Sequence, residues 1–154
     1  GAGAVAVPGS GAAPAATSTA GGGSVGAGAP PPGLDGWPVE LGAGVSGHPT
    51  VLLRDEALST SQQRLQRLVF APGAFGEIIE PGREAPLDSD TTVSVVTPSA
   101  TDADALSTTL LMLPREEGKA LLERFPRAAA LWMSPAGDLL DSFHPSRLRL
   151  ADLR

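Results

Sequence analysis

Residues 97–113, TPSATDADALSTTLLML, predict a helix whose placement decides the fold around it. A hydroxyl followed three residues later by an acid is typical of a helix start, and Thr101 with Asp104 fits this pattern. Apolar residues then recur at helical spacing and predict a buried face, namely Ala103, Leu106, Leu110 and Leu113. Pro114 ends the helix because proline cannot continue its hydrogen bonding. Asp104 and Thr108, four residues apart, therefore share one side of the helix.

Strand patterns on both sides of this helix indicate the fold class. Residues 91–97 are rich in β-branched side chains at period two, as in a strand. Further strands are predicted at residues 37–41, 50–55, 64–70 and 77–81, with turns at 58–61 and 71–76. A second helix at 116–125 precedes a hairpin formed by 128–133 and 138–142. Strands followed by two helices and a hairpin favour an α+β fold with a mostly antiparallel sheet over alternating βαβ units.

Composition narrows the possible functions. The chain has 154 residues, enough for one domain with a hydrophobic core, and its formal charge is −6. Because binding to nucleic acid or an anionic membrane requires clustered Lys and Arg, neither is an expected partner. No apolar run is long enough to predict a membrane span, and the lack of cysteine excludes thiolate metal sites. An anionic cofactor would need a bridging cation.

Three regions are expected along the chain. Residues 1–19 are rich in Gly, Ala and Pro, carry no charge and predict a flexible leader. The domain is expected at residues 20–142, followed by a basic tail at 143–154.

Three stretches together resemble the flavin transferases, the FAD:protein FMN transferases of the ApbE family. They are the glycine turn at residues 20–23, the segment EIIEPGREAP at 77–86, and the predicted helix with Asp104 and Thr108. A further patch, Thr60-Ser61, is similar to the Thr-Ser-Gly turn of that family, with Gln62 where Gly is usual. The resemblance corresponds to the later part of the family's domain, and Gly23 stands where the family usually has Asp.

The resemblance implies a magnesium-dependent enzyme. Its Mg²⁺ site would be formed by the Asp104 carboxylate, the Thr108 hydroxyl and the backbone carbonyl of Ser107. FAD would be the substrate, FMN would pass to a Thr or Ser hydroxyl of a target protein, and AMP would leave. Glu77 occupies the position of the family's proton-accepting His, and Ile78 beside it is expected at the cofactor.

Other interpretations of the same residues stay open on the sequence alone. Asp104 could act only as a helix cap, and Thr108 could donate its hydroxyl proton to the Asp104 carbonyl. With Glu77 in place of His, the chain could be a non-catalytic flavin- or nucleotide-binding relative. A truncated structural remnant is a third possibility.

Overall fold

Two helices cover one face of a mostly antiparallel sheet in the computed structural model. It describes residues 5–6, 16–17, 23–30, 32–41, 49–63, 65–67, 74–76, 78–80, 84–87 and 89–150. The strands are β1 (Val5–Ala6), β2 (Ala16–Thr17), β3 (Gly23–Ala27), β4 (Trp37–Glu40), β5 (Thr50–Leu53), β6 (Glu56–Gln62), β7 (Leu65–Arg67), β8 (Ala74–Gly76), β9 (Ile79–Glu80), β10 (Ala85–Pro86), β11 (Thr92–Thr97), β12 (Ala129–Met133) and β13 (Leu139–Phe143). The helices are α1 (Ala100–Met112) and α2 (Arg115–Leu122), and a 3₁₀ turn spans Pro145–Arg147.

The main sheet has the order β1-β3-β6-β11-β12-β13. Every pairing from β3 to β13 is antiparallel, and only the two-residue strand β1 pairs in parallel, with β3. Smaller sheets are formed by β2-β4-β5, β7-β8 and β9-β10. The predicted α+β fold with a mostly antiparallel sheet is confirmed.

The main sheet is buried on both faces, as alternate residues of β11 illustrate. Val93 and Val95 belong to a core cluster beneath the helices, with Leu106, Leu110 and Trp132 among its other members. Val96 belongs to a second cluster on the opposite face, which also contains Val39, Val51 and Leu53 of β4 and β5. Burying one such aliphatic side chain stabilises a fold by about 1.5–3 kcal/mol, so β11 anchors both layers.

Strand β6 corrects one prediction. The expected turn at residues 58–61 is the middle of a strand that pairs with β3 on one side and β11 on the other. All four residues are buried. Ser and Thr are tolerated there because their hydroxyls have partners, for example Thr60 with Ser94 at 2.8 Å between the side-chain oxygens. The segment at 71–76 was also predicted as a turn, but Ala74–Gly76 forms β8.

The start of helix α1 corrects a second prediction. The N-cap is Ser99, whose side-chain oxygen accepts a hydrogen bond from the Asp102 backbone N–H at 3.2 Å. Thr101, the residue expected to cap the helix, lies inside it and is exposed. The buried face contains Leu111, whereas Leu113 is only half-buried at the end of the helix.

Helix α2 is held against the sheet at its last turn. It ends three residues before the predicted end at 125, where Phe125 N–H donates to the Leu122 carbonyl in a tighter i→i+3 bond. Lys119 forms an ion pair with Asp141 of β13 at 2.7 Å. The hydrogen bond from Lys119 lowers the pKa of Asp141, with a smaller contribution from the Ser142 backbone N–H.

Part of the predicted tail packs on strand β5 of the β2-β4-β5 sheet. Leu148 is buried in the core cluster that contains Val51, and Leu150 forms a bridge with Val51. The Leu52 backbone N–H donates to the Arg149 carbonyl at 2.7 Å. In the described part of the chain, no helix is long and apolar enough to cross a membrane.

Replacement of the observed cap tests the corrected helix start. We expect Ser99→Ala to lower the free energy of unfolding by about 1 kcal/mol, because the Asp102 N–H loses its acceptor. Thr101→Ala is the matched control and should change it by less than about 0.5 kcal/mol. Urea denaturation of both variants measures the difference, and a larger loss for Thr101→Ala would contradict the assignment.

The approach of Gly36 to β5 gives a second stability test. A Cβ atom at residue 36 would lie 2.8 Å from the Leu52 Cβ and 3.0 Å from the Leu53 carbonyl oxygen. Gly36→Ala should therefore cost about 1–3 kcal/mol through strain. At Gly28 an added Cβ has no atom within 4 Å, so Gly28→Ala should be neutral or stabilise by about 0.4–1 kcal/mol. Equal thermal midpoints for the two variants would refute the close packing at Gly36.

Candidate functional site

A group of hydroxyl side chains and one carboxylate lies between α1 and the strands β3 and β6. We call it the hydroxyl cluster, and its members are Ser24, Ser59, Ser61, Asp104, Ser107 and Thr108. Strand alternation places the β6 members on the helix-facing side, since Ser59 and Ser61 are two residues apart. The sheet register places Ser24 directly opposite Ser59. The cluster thus joins residues that are far apart in the sequence.

Asp104 is fixed by hydroxyls of the sheet. Its Oδ1 accepts hydrogen bonds from Ser24 Oγ at 3.1 Å and Ser59 Oγ at 3.2 Å. Both bonds fall on the same oxygen, and no described residue bonds to Oδ2. The residue is exposed, so one carboxylate oxygen is anchored while the side chain stays open to a ligand.

Thr108 lies on the same side of the helix as Asp104. Its Oγ1 is 3.1 Å from Ser61 Oγ, and the residue is half-buried. Ser107, the neighbouring residue, is fully buried, and its Oγ is 2.8 Å from Ser61 Oγ and 3.2 Å from Ser59 Oγ. Two alternate positions of β6, Ser59 and Ser61, therefore contact both predicted metal-binding side chains.

These contacts differ from the structural alternatives raised by the sequence. The cap of α1 is Ser99, so Asp104 is not needed as a capping residue. Its backbone carbonyl accepts from Ser107 Oγ at 3.1 Å, and Thr108 contacts Ser61 instead. The bond within the helix that was considered for Thr108 is made by Thr109, which donates to the Ala105 carbonyl at 2.8 Å.

Ile78 is held next to this part of β6 by a side-chain amide. Its N–H donates to Gln63 Oε1 at 3.2 Å, and its carbonyl accepts from Gln63 Nε2 at 3.3 Å and from Leu87 N–H at 2.9 Å. The side chain packs against the core cluster beneath the helices. Ile78 follows Glu77 in the chain, and Glu77 itself lies outside the described residues.

Sequence reasoning missed two members of the cluster, Ser24 and Ser59. Both contact Asp104 across sequence separations of 80 and 45 residues. The one local signal is the spacing of Ser59 and Ser61, which strand periodicity places on one face. Taking that segment for a turn hid the signal.

The donor set fits a hard cation that shares its shell with other ligands. Mg²⁺ prefers oxygen ligands and commonly keeps waters or substrate phosphates while using one or two carboxylates. Asp104 offers the carboxylate, and Thr108 offers a hydroxyl oxygen on the same side of α1. The described residues include no group of three or more His, Cys, Asp or Glu that could hold a metal alone. Two protein oxygens would leave most of an octahedral Mg²⁺ shell to water or a substrate.

A separate cleft lies at the N-terminal end of α1. It has a volume of about 300 Å³, and its lining includes Ser99, Asp102, Arg124 and Arg127. Asp104 and Thr108 are not part of that lining. The hydroxyl cluster is therefore a distinct feature of the same helix.

The hydroxyl cluster lies within a segment that matches a known protein family. A family model described as "ApbE family" matches residues 13–132, which include every member of the hydroxyl cluster. No curated protein matches the sequence. Because the family match extends over well more than half of its residues, the chain belongs to the ApbE family.

Proposed function

We propose that this chain is a flavin transferase that moves FMN from FAD to a Thr or Ser hydroxyl of a target protein with the help of Mg²⁺. The observation that carries the proposal is the placement of Asp104 and Thr108. Both form hydrogen bonds with serines at alternate positions of β6, on one side of α1 and within the segment that matches the ApbE family.

The proposed reaction is a displacement at phosphorus. The acceptor hydroxyl oxygen forms a bond to the phosphorus of the FMN half, the bond to the bridging oxygen breaks, and AMP leaves with that oxygen. Asp104, Thr108 and the Ser107 carbonyl would hold Mg²⁺, which neutralises charge on the diphosphate oxygens when bound. The protein would contribute mainly by orienting FAD and the acceptor. Ile78 would lie at the cofactor, with its backbone held by Gln63.

Glu77 is the proposed acceptor of the proton from the attacking hydroxyl. A glutamate in a model peptide has a pKa near 4.3, compared with about 6.5 for histidine, the residue that the family places there. A base works best when its pKa lies near the operating pH, so glutamate would accept this proton less efficiently. Slow turnover is the expected consequence.

A second candidate function follows from the same substitution. Without an efficient base, the chain would act as a non-catalytic flavin- or nucleotide-binding protein that keeps its cation site. In that case FAD binding would depend on Mg²⁺, yet no AMP would form.

Replacement of the base distinguishes the two candidates. We expect Glu77→His to raise Mg²⁺-dependent AMP release from FAD by at least about tenfold, because histidine restores a base with a suitable pKa. Chromatographic detection of AMP in the presence of a Thr-containing acceptor peptide provides the measurement. Glu77→Gln is the control and should release less AMP than the unmodified chain. No AMP from any of the three proteins would favour the non-catalytic alternative.

Replacement of the carboxylate tests the cation site itself. We expect Asp104→Asn to weaken Mg²⁺ binding in the presence of FAD by about 10–100-fold, since one charged ligand is lost. The free energy of unfolding should fall by less than about 1 kcal/mol, because the residue is exposed and Ser99 caps the helix. Isothermal titration calorimetry and urea denaturation measure the two quantities.

Asp102→Asn is the matched control for this experiment. Asp102 is an exposed acid in the first turn of the same helix, and its backbone N–H bonds to the Ser99 cap. The variant changes the charge equally but should leave Mg²⁺ affinity within about twofold of the unmodified chain. Equal weakening by both substitutions would indicate a general charge effect instead of a site at Asp104.

A further inference from the structure

We propose that five members of the hydroxyl cluster form one directed chain of hydrogen bonds and that Ser61 is a positioning residue for the cation site. Each hydroxyl in this chain donates to the next member and accepts from the previous one. The order is Thr108, Ser61, Ser107, Ser59 and Asp104. This inference rests on the proposed function, because it concerns how Thr108 comes to present its oxygen to a cation.

The number of protons decides the direction of the chain. The five hydroxyl oxygens of the cluster make seven close contacts, either with one another, with Asp104 Oδ1 or with the Asp104 carbonyl oxygen. Each hydroxyl carries one proton, so at most five of the seven contacts are made at once. A carboxylate can only accept, and hydrogen bonds to a charged acceptor are the strongest available. The proton of Ser59 therefore points to Asp104.

The remaining directions follow from this first assignment. Ser107 carries one proton but contacts Ser59 at 3.2 Å, the Asp104 carbonyl at 3.1 Å and Ser61 at 2.8 Å. Ser59 has no proton left and a carbonyl cannot donate, so the first two contacts exist only if Ser107 is their donor. Its proton goes to Ser59, because the Asp104 carbonyl already accepts from the helix backbone. Ser107 then accepts from Ser61 at 2.8 Å, which is the direction that gives every hydroxyl proton an acceptor within the group. The single proton of Ser61 is then used, so Thr108 donates to Ser61 at 3.1 Å.

The direction of this last bond determines what Thr108 can bind. A hydroxyl ligates a cation through an oxygen lone pair, so its proton needs an acceptor elsewhere. Ser61 is that acceptor, and it leaves the lone pairs of Thr108 Oγ1 for a ligand. Without Ser61 the Thr108 hydroxyl would be free to rotate or to donate to the helix backbone, as the hydroxyl of Thr109 does.

Burial strengthens the chain. Ser59 is 1 % exposed and Ser107 is 0 % exposed, so water does not compete well for their protons. Hydrogen bonds in such surroundings reinforce one another along a chain.

The spacing of the strand also matches that of the helix: two residues of a strand span about 6.6 Å, and four residues of a helix rise about 6 Å. Ser59 and Ser61 can thus reach Asp104 and Thr108 at the same time.

The first experiment removes the acceptor in the full chain. Mn²⁺ serves as the probe, and electron paramagnetic resonance of the free ion gives its dissociation constant. We expect Ser61→Ala to raise that constant about tenfold, which is typical for loss of a residue that orients a metal ligand. Ser61→Thr keeps the hydroxyl and should restore binding to within about threefold of the unmodified chain.

Ser94→Ala is the matched control for lost stability. Ser94 Oγ makes a buried 2.8 Å bond with Thr60 Oγ1, on the sheet face away from α1. Its loss should shift the urea midpoint about as much as Ser61→Ala does but leave Mn²⁺ binding unchanged. If Ser61→Ala binds Mn²⁺ as tightly as the unmodified chain, or if Ser94→Ala weakens binding equally, the positioning role is wrong.

Asp104→Asn separates failure of this inference from failure of the proposed function. Loss of Mn²⁺ binding in Asp104→Asn with unchanged binding in Ser61→Ala would overturn the chain and leave the cation site standing. If the unmodified protein binds no Mn²⁺, the proposed function fails, and metal-free unfolding then tests the chain by itself.

The metal-free test is a double-mutant cycle between Ser59→Ala and Thr108→Val, whose hydroxyls share no direct bond. A connected chain predicts that the double variant departs at least threefold from the product of the two single effects on the unfolding equilibrium constant. If the two sites are independent, the effect of the double variant lies within about twofold of that product, and this result would overturn the chain.

Discussion

The contact of helix α1 with strand β6 through hydroxyl groups is the constraint on which the rest of the site depends. A buried hydroxyl without a partner costs about 1–3 kcal/mol, so Ser59, Ser61 and Ser107 must meet acceptors or donors across the interface. Rotating the helix by one residue would break several of these bonds together. The packing therefore selects one rotation of α1. In that rotation Asp104 and Thr108 both contact serines of β6.

The sheet supplies the rigidity that this arrangement needs. Strand β6 is paired on both sides, and β11 beside it buries valines in the core of each face. Aliphatic packing thus holds both the strand and the helix, while the hydroxyls of the strand fix the rotation of the helix. A site built on paired strands and a packed helix keeps its geometry better than one built on loops. This division of roles explains how the hydroxyl cluster can lie next to an aliphatic core.

Local patterns in the sequence were sufficient for most elements but not for the interface. Period-two β-branched residues identified β11, and helical spacing identified α1 and the shared side of Asp104 and Thr108. The strand character of residues 58–61 was missed, because serine side chains compete for backbone hydrogen bonds and favour turns unless distant partners satisfy their hydroxyls. The contacts of Asp104 with Ser24 and Ser59 depend on sheet register across 80 and 45 residues, which spacing along the chain does not encode.

The position of a bound cation is the decisive observation for a metal site at Asp104 and Thr108. In crystals grown with Mn²⁺ and FAD, an anomalous difference map locates the metal independently of any activity. We expect a peak that contacts an Asp104 carboxylate oxygen and Thr108 Oγ1 at about 2.1 Å, with Ser61 Oγ within hydrogen-bonding distance of the threonine. A peak elsewhere in the protein, or one bound to Asp104 with the Thr108 hydroxyl turned away, would contradict it.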